Sequence, residues 1–269
     1  MYMLRNVIQR YIVLFCIAIS LMLLWISSLF SWDDNPIMGL DKLCADACII
    51  LCCVILIRLM ELQNTSGFQK EGFFKGLLYG SPFLVIGIGS VLVSNLGVDF
   101  SELQHISAVH SLLFTVNMLF VGMNEEIWMR GLILNALIRK YGESHKGIWK
   151  SLLISALIFG AIHIPNLFFM NPMTLFVQVV NAAAGGILFG AIYIKSKNLW
   201  AGITIHAIVD WCSLFIGNCF IGTGSIISMD MTLAQAFVII ALGSLPPILI
   251  ALLLLKNKKQ DSSIAANPT

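Results

Sequence analysis

The sequence predicts an all-α polytopic membrane protein, a bundle of about eight transmembrane helices with both termini in the cytoplasm. Hydrophobic residues make up 58% of the 269 residues and charged residues only 11%, whereas a soluble domain carries about 25% charged residues. The apolar residues form runs long enough to cross a bilayer, and basic residues fall on alternate connections between them. No basic patch interleaved with aromatic residues occurs, so we expect no nucleic-acid partner.

Eight apolar segments are candidate spans because each holds about 20 mostly apolar residues. The segments are 11–30, 43–62, 75–96, 107–138, 149–169, 173–194, 199–219 and 234–255. The first segment has no small-x-small cleavage site before Asp33 and Asp34, so it is interpreted as a retained anchor.

The spans are interpreted as one membrane domain that covers residues 1–269. Its expected parts are a catalytic core at 107–219, supporting spans at 1–106 and 220–255, and a polar tail at 256–269.

Basic residues predict the orientation, because cytoplasmic connections are enriched in Lys and Arg. Of the 16 Lys and Arg residues, all but Lys42 and Arg130 flank the spans on one side. Lys42 lies on the other side, near several acidic residues, and Arg130 lies inside the fourth span. We therefore expect a multi-pass protein of the cell membrane with cytoplasmic termini.

The fourth span carries three charged side chains, Glu125, Glu126 and Arg130, in an otherwise apolar run. A charge near the bilayer centre costs about 2.5–3.5 kcal/mol on insertion scales, so these groups must face protein or water and find partners there. Glu126 and Arg130 have the favourable i, i+4 spacing of an ion pair, and we interpret this pair as supporting the fold. Glu125 points about 100° away from Glu126 and is left to face other polar groups.

Two further spans carry ionisable residues at a similar depth. With a rise of about 1.5 Å per residue, Glu125 lies about 21 Å from the cytoplasmic flank of its span. His163 and Asp210 lie about 20 Å from theirs, and His206 lies one turn lower than Asp210 on the same helix face. This agreement predicts a common site near the middle of the membrane.

The residue types at this depth suit hydrolysis. A buried glutamate beside a histidine can hold a water molecule and take its proton, and a second histidine with a carboxyl group can stabilise an oxyanion. Alternatively, Glu125, His163 and His206 form the two-histidine, one-carboxylate set of a catalytic zinc site. No HExxH spacing is present, so the residues leave both chemistries open.

Small residues recur on one face of the sixth span, at Ala182, Gly186 and Gly190, and predict close helix packing. Pro165 and Pro172 bracket a short connection at which helices should stop.

Three motifs in this region resemble the CAAX protease and bacteriocin-processing family of intramembrane peptidases, also called the Abi family. The family pattern is EExxxR, then FxxxH, then HxxxN or HxxxD, on separate transmembrane helices. The matching residues here are Glu125, Glu126 and Arg130, then Phe159 and His163, then His206 and Asp210. The resemblance covers the fourth to the seventh span, nearly half of the chain.

The resemblance implies an eight-helix fold with a cavity open towards the cytoplasm. In that cavity Glu125 and His163 would activate water, and His206 with the residue at position 210 would stabilise the oxyanion. Eukaryotic-type prenyl-protein peptidases have Asn where this chain has Asp210. Either Asp210 is protonated and donates a hydrogen bond, or it orients His206.

The function implied by the resemblance is intramembrane hydrolysis of peptide bonds. The substrates would be membrane-associated proteins or peptides, in CAAX-type processing, peptide maturation or bacteriocin self-immunity. The family is often termed metalloprotease, which makes Zn²⁺ the candidate cofactor, and a metal-free glutamate mechanism is the alternative.

Two other classes of protein compete with the peptidase. Mid-membrane carboxylates and histidines also form relays in proton- or ion-coupled transporters, but no second half matching the Glu-Glu-Arg segment indicates an inverted repeat. A non-catalytic immunity or scaffold protein would be expected to lose motif residues, and this chain keeps them.

Overall fold

The computed structural model describes residues 8–30, 39–94, 103–221 and 231–256. The predicted polar tail at 256–269 lies outside these ranges except for Lys256. Over the described residues the fold is helical except for one short pair of strands. These strands, Gln104–His105 and Phe220–Ile221, are antiparallel, with Gln104 opposite Ile221. The predicted all-α class is confirmed.

The described α-helices follow in chain order. They are α1 Ile12–Ser28, α2 Leu40–Leu59, α3 Phe73–Ser94, α4 Ala108–Glu126, α5 Asn135–Tyr141, α6 His145–Ala161, α7 Pro172–Ser196, α8 Leu199–Cys219 and α9 Leu233–Leu255. A π-helical segment, Ile127–Leu134, joins α4 to α5, and a 3₁₀ helix, Ile164–Phe168, follows α6.

A helix overlaps each of the eight predicted segments. Within the described residues, four helical stretches are long and apolar enough to cross a membrane: His145–Phe168, Pro172–Ser196, Leu199–Cys219 and Leu233–Leu255. Two shorter apolar helices are Ile12–Ser28 and Phe73–Gly89. These helices make the chain a multi-pass membrane protein.

The π-helical segment forms the centre of the core, because all eight of its residues are buried. It packs against α2 and α6, and its apolar side chains join one large cluster with those of the neighbouring helices. A helix that is enclosed on every side must be apolar all round. Arg130 is the exception within this segment, and it therefore needs partners inside the protein.

Glycines on α7 allow α6 to approach closely. A Cβ atom built on Gly186 would lie 3.1 Å from the Cα atom of Ala156, and one on Gly190 would lie 2.2 Å from Cδ1 of Leu152. The close packing predicted from the small-residue stripe is therefore confirmed, with α6 as the partner.

A glycine also brings α4 against α8. A Cβ atom on Gly122 would lie 3.0 Å from the carbonyl oxygen of Ile203 and 3.1 Å from the backbone nitrogen of Ala207. The two backbones therefore nearly touch one turn before Glu126, and side chains on these helices can meet directly.

Side-chain caps fix where α7 and α8 begin. Asn171 accepts a hydrogen bond from the backbone of Met173 at 2.8 Å, so α7 starts at Pro172, as the predicted connection requires. Asn198 accepts from the backbone of Ala201 and donates to the carbonyl oxygens of Gln69 and Glu71. The start of α8 is thereby attached to the loop before α3.

Candidate active site

The two glutamates end α4 at the point where the helix changes type. Glu126 is the last residue of α4, and the π-helical segment begins at Ile127. Asn135 donates to the carbonyl oxygen of Arg130 at 2.7 Å, across five residues, and to the hydroxyl oxygen of Tyr193 at 2.7 Å. Short π-helical stretches inside α-helices are frequent at functional sites, and this one directly follows the glutamate pair.

One carboxylate oxygen of Glu126 contacts both Arg130 and His206. Its Oε1 accepts from Nη1 of Arg130 at 2.8 Å and lies 2.9 Å from Nδ1 of His206. The side chains of Glu126 and Arg130 are each only 1% exposed. Because a carboxylate can only accept, Nδ1 of His206 carries the proton of this hydrogen bond.

The other nitrogen of His206 faces two more carboxyl groups. Nε2 lies 3.4 Å from Oε2 of Glu125 and 3.5 Å from Oδ2 of Asp210. The side chains of Glu125 and Asp210 are 19% and 29% exposed, compared with 9% for His206. The Nε2 edge is therefore the accessible edge of the histidine. Since neutral imidazole has one N–H, donation from both nitrogens requires the imidazolium form.

Two phenylalanines enclose the cationic groups. The ring of Phe189 stacks on that of His206, with centroids 4.8 Å apart and planes at 15°, and Phe159 meets His206 edge-on at 6.2 Å. Cζ of Arg130 lies 4.8 Å from the ring centroid of Phe159 and 5.2 Å from that of Phe189. Aromatic faces attract cations, most strongly where water is excluded.

His163 reaches the site from the end of α6. Its Nδ1 lies 2.9 Å from the carbonyl oxygen of Phe159. A carbonyl oxygen only accepts, so Nδ1 carries the proton of this hydrogen bond, and in the neutral ring Nε2 then holds the lone pair. His163 is half-buried.

The structure thus brings the predicted residues of three helices into one cluster. Nε2 of His206 lies within 3.5 Å of both Glu125 and Asp210. The ring of Phe159 meets those of both His163 and His206. The predicted ion pair of Glu126 with Arg130 is present. The interpretation of Glu126 as a partner of Arg130 alone was incomplete, because the same oxygen also binds His206.

A further polar group beside the glutamates comes from α2. Asp46 is 0% exposed, and its Oδ1 accepts from Nδ2 of Asn124 at 2.7 Å. Both Asp46 oxygens lie 2.5 Å from Nζ of Lys42. Asp46 was not predicted as a site residue, although it lies inside the second predicted span, where an ionisable residue is a candidate for function.

The two histidines of the zinc hypothesis each have one engaged ring nitrogen. Among the described residues, no group of three or more His, Cys, Asp and Glu side chains is arranged to hold a metal ion. In the set proposed for zinc, Nδ1 of His206 is engaged by Glu126 and Nδ1 of His163 by the carbonyl oxygen of Phe159, so Nε2 is the atom that each histidine would offer to a metal. Nδ1 bonds of this kind also orient metal-binding histidines, so they do not decide between the metal and the metal-free chemistry.

The segment that carries this site matches a known protein family. Residues 107–212 match the family model described as "Type II CAAX prenyl endopeptidase Rce1-like". The match runs from the N-cap of α4 into α8 and includes every motif residue of the cluster. It confirms the resemblance to the CAAX protease family. No curated protein and no solved structure matches the chain.

Proposed function

We propose that this chain, whose segment 107–212 matches the Rce1-like model of CAAX prenyl endopeptidases, hydrolyses peptide bonds of membrane-associated proteins or peptides. The observation that carries the proposal is the placement of His206. One ring nitrogen is bound by the buried Glu126, and the other faces Glu125 and Asp210 at the accessible edge of the site. A general base and an oxyanion donor thus lie next to each other.

Glu125 is the proposed general base. Its carboxylate takes one proton from a water molecule while the water oxygen bonds to the scissile carbonyl carbon. The carbonyl oxygen becomes an oxyanion in the tetrahedral intermediate. When the C–N bond breaks, Glu125 passes its proton to the leaving amine. His163 assists as a water-positioning group, because its Nε2 lone pair can accept a hydrogen bond from the same water.

His206 is the proposed oxyanion donor. Glu126 accepts from its Nδ1–H and so leaves the Nε2–H of the imidazolium to stabilise the negative charge on the carbonyl oxygen. Asp210, in its neutral form, donates a second hydrogen bond, which an ionised carboxylate could not do. Arg130 balances the charge of Glu126 within the low-dielectric interior.

These steps use only groups of the chain itself. The substrate classes that agree with the family are CAAX-type protein termini, maturing peptides, and peptides involved in bacteriocin self-immunity. Each would approach from the bilayer, where the apolar outer faces of the helices contact lipid.

Cleavage by purified protein tests the proposal. The panel comprises a prenylated CAAX peptide, the same peptide without the prenyl group, and a transmembrane peptide, each reconstituted in lipid and analysed by mass spectrometry. We expect cleavage of at least one peptide by the wild type and none by Glu125→Gln. Equal cleavage by both proteins would refute the assignment of Glu125.

The proposed arrangement in the membrane has eight spans, cytoplasmic termini, and a site that opens towards the cytoplasm. The asymmetry of the basic residues supports it. Reporter fusions after Lys259 and between Asp99 and His105 should report opposite sides of the cell membrane. The same signal at both positions would contradict eight spans.

A further inference from the structure

The hydrogen bond between Asp46 and Asn124 joins a helix outside the segment that matches the family to a helix inside it. Asp46 lies on α2, outside the matched segment 107–212, whereas Asn124 lies inside it and directly precedes Glu125. The donor–acceptor distance is 2.7 Å, and both residues are buried. This contact connects a supporting helix to the turn that carries the proposed base.

Helix geometry shows what the contact controls. Gly122 and Glu126 are four residues apart and face α8, where Gly122 touches its backbone and Glu126 binds His206. Asn124 lies roughly 160° away around the helix axis, and there it faces α2. The turn is therefore held from both sides, and its rotation determines whether Glu125 points at Nε2 of His206.

The orientation of the Asn124 side chain depends on Asp46. Oδ1 of Asn124 is buried and has no hydrogen-bond partner among the described residues. The amide is therefore fixed through its donor bond to Asp46. Loss of that acceptor would leave both polar atoms of the Asn124 amide unpaired in the interior. The last turn of α4 would then no longer be held on its α2 side.

Lys42 explains how a carboxylate can be buried at this position. Its Nζ lies 2.5 Å from both oxygens of Asp46, and its side chain is 24% exposed. Replacing a buried ion pair by apolar residues of similar size is often neutral for stability. Stability alone therefore does not require the carboxylate, whereas the bond to Asn124 requires an acceptor.

We infer that Asp46 is a positioning residue for catalysis, which acts through Asn124 to hold Glu125 against His206. The inference rests on the proposed role of Glu125 as the general base. Asp46 itself does not contact the substrate in this account.

Two double variants separate positioning from folding. Lys42→Met with Asp46→Leu removes both charges and the acceptor, whereas Lys42→Met with Asp46→Asn removes both charges but keeps an acceptor oxygen for Asn124. We expect the Asn variant to unfold near the wild-type temperature and the Leu variant at a somewhat lower temperature, because its Asn124 amide is left unpaired in the interior. Both should remain folded at the temperature of the assay. The Leu variant should lose about ten- to a hundredfold in kcat with KM unchanged, since small misplacements of catalytic groups have effects of this size. The Asn variant should keep kcat within about threefold, because the acceptor is retained.

A substitution of Asn124, the donor of the hydrogen bond, provides an independent test. Asn124→Ala should reduce kcat to the same extent as the Leu variant, and combining the two should cause little further loss, because both break one interaction. This variant leaves the ion pair of Lys42 with Asp46 in place. It therefore keeps the test valid if the Leu variant gives little folded protein.

Several results would overturn the inference. A wild-type kcat in the folded Leu variant or in Asn124→Ala would show that the bond does not position Glu125. Equal losses of kcat in the Leu and Asn variants would show that the missing charges of Lys42 and Asp46 cause the loss. A change in KM alone would show that the substitutions affect substrate binding. Turnover that survives in Glu125→Gln would refute the proposed function first, and the inference with it.

Discussion

Oε1 of Glu126 lies 2.9 Å from Nδ1 of His206, so a single carboxylate oxygen links the end of α4 to the middle of α8. The same oxygen accepts from Arg130, which leaves His206 with its Nε2 edge directed at Glu125. The two adjacent glutamates therefore bind opposite edges of one imidazole ring. Their roles can be separated by experiment because one glutamate is fully buried and the other is not.

Glu126→Gln should reduce the yield of folded protein. The substitution leaves Arg130 without a counter-charge in the interior, and an unpaired buried charge costs about 3–5 kcal/mol. Combining it with Arg130→Met should recover much of the yield, since both charges are then gone. The measurement is the monodisperse fraction in detergent together with the unfolding temperature.

Glu125→Gln is the matched control, because it changes the neighbouring glutamate in the same way. Its side chain is 19% exposed and is not paired with Arg130 in the structure. We expect normal yield and no turnover. Equal loss of yield in both variants, with normal specific activity, would show that the division of roles is wrong.

Phe189→Leu should weaken the site without removing a polar group. The ring stacks on His206 and lies over Arg130, and such contacts contribute about 0.5–2 kcal/mol each. We expect a lower unfolding temperature and a kcat reduced by up to about tenfold. Phe176→Leu is the control on the same helix, because Phe176 is 57% exposed. Equal effects of the two substitutions would contradict a specific role for the stacked ring.

Asp210→Asn should keep most activity and extend it to higher pH. The amide donates a hydrogen bond to the oxyanion as a neutral carboxyl group does, and it cannot ionise as pH rises. The measurement is the pH–rate profile on one peptide substrate. Asp210→Ala removes the hydrogen-bond donor and should have low activity at every pH.

The alternative role for Asp210 gives the opposite result. If the carboxylate is charged and orients the His206 imidazolium across the 3.5 Å contact, the Asn variant should lose activity at all pH values. Unchanged activity in the Ala variant would remove Asp210 from the site.

Metal-depleted protein should retain turnover. In the proposed steps Glu125 takes the proton of the water and His206 stabilises the oxyanion, so no group from outside the chain is needed. The experiment measures metal content and activity before and after treatment with a chelator. Activity that disappears on chelation and returns with about one zinc ion per chain would establish a metal mechanism instead.

The helices could be predicted from sequence because they depend on local properties. Each apolar run is long enough to form a helix by itself, and features such as Pro172 and the small residues of α7 mark ends and contacts. The change to a π-helix after Glu126 was not predicted. The segment is followed by a cross-helix hydrogen bond from Asn135 to Tyr193, and no local sequence pattern specifies that bond.

The cluster of ionisable residues could be predicted in its members but not in how they pair. Charges in an apolar segment are conspicuous in a sequence, and matched depth grouped Glu125 with His163 and Asp210, with His206 one turn lower. Which oxygen meets which nitrogen depends on helix rotation and on the close approach at Gly122. Asp46 was missed because its partner, Asn124, is uncharged and lies 78 positions away.

The π-helical segment has a consequence for how insertions and deletions would affect this protein. A π-helical turn holds one more residue than an α-helical turn, so Ile127–Leu134 absorbs an extra residue in the chain. Deleting one residue there would restore α-helical geometry and rotate everything after it by about 100° relative to Glu126. Asn135 would then turn away from Tyr193, although the apolar character of the segment would be unchanged. The site is therefore sensitive to the length of this segment as well as to its composition.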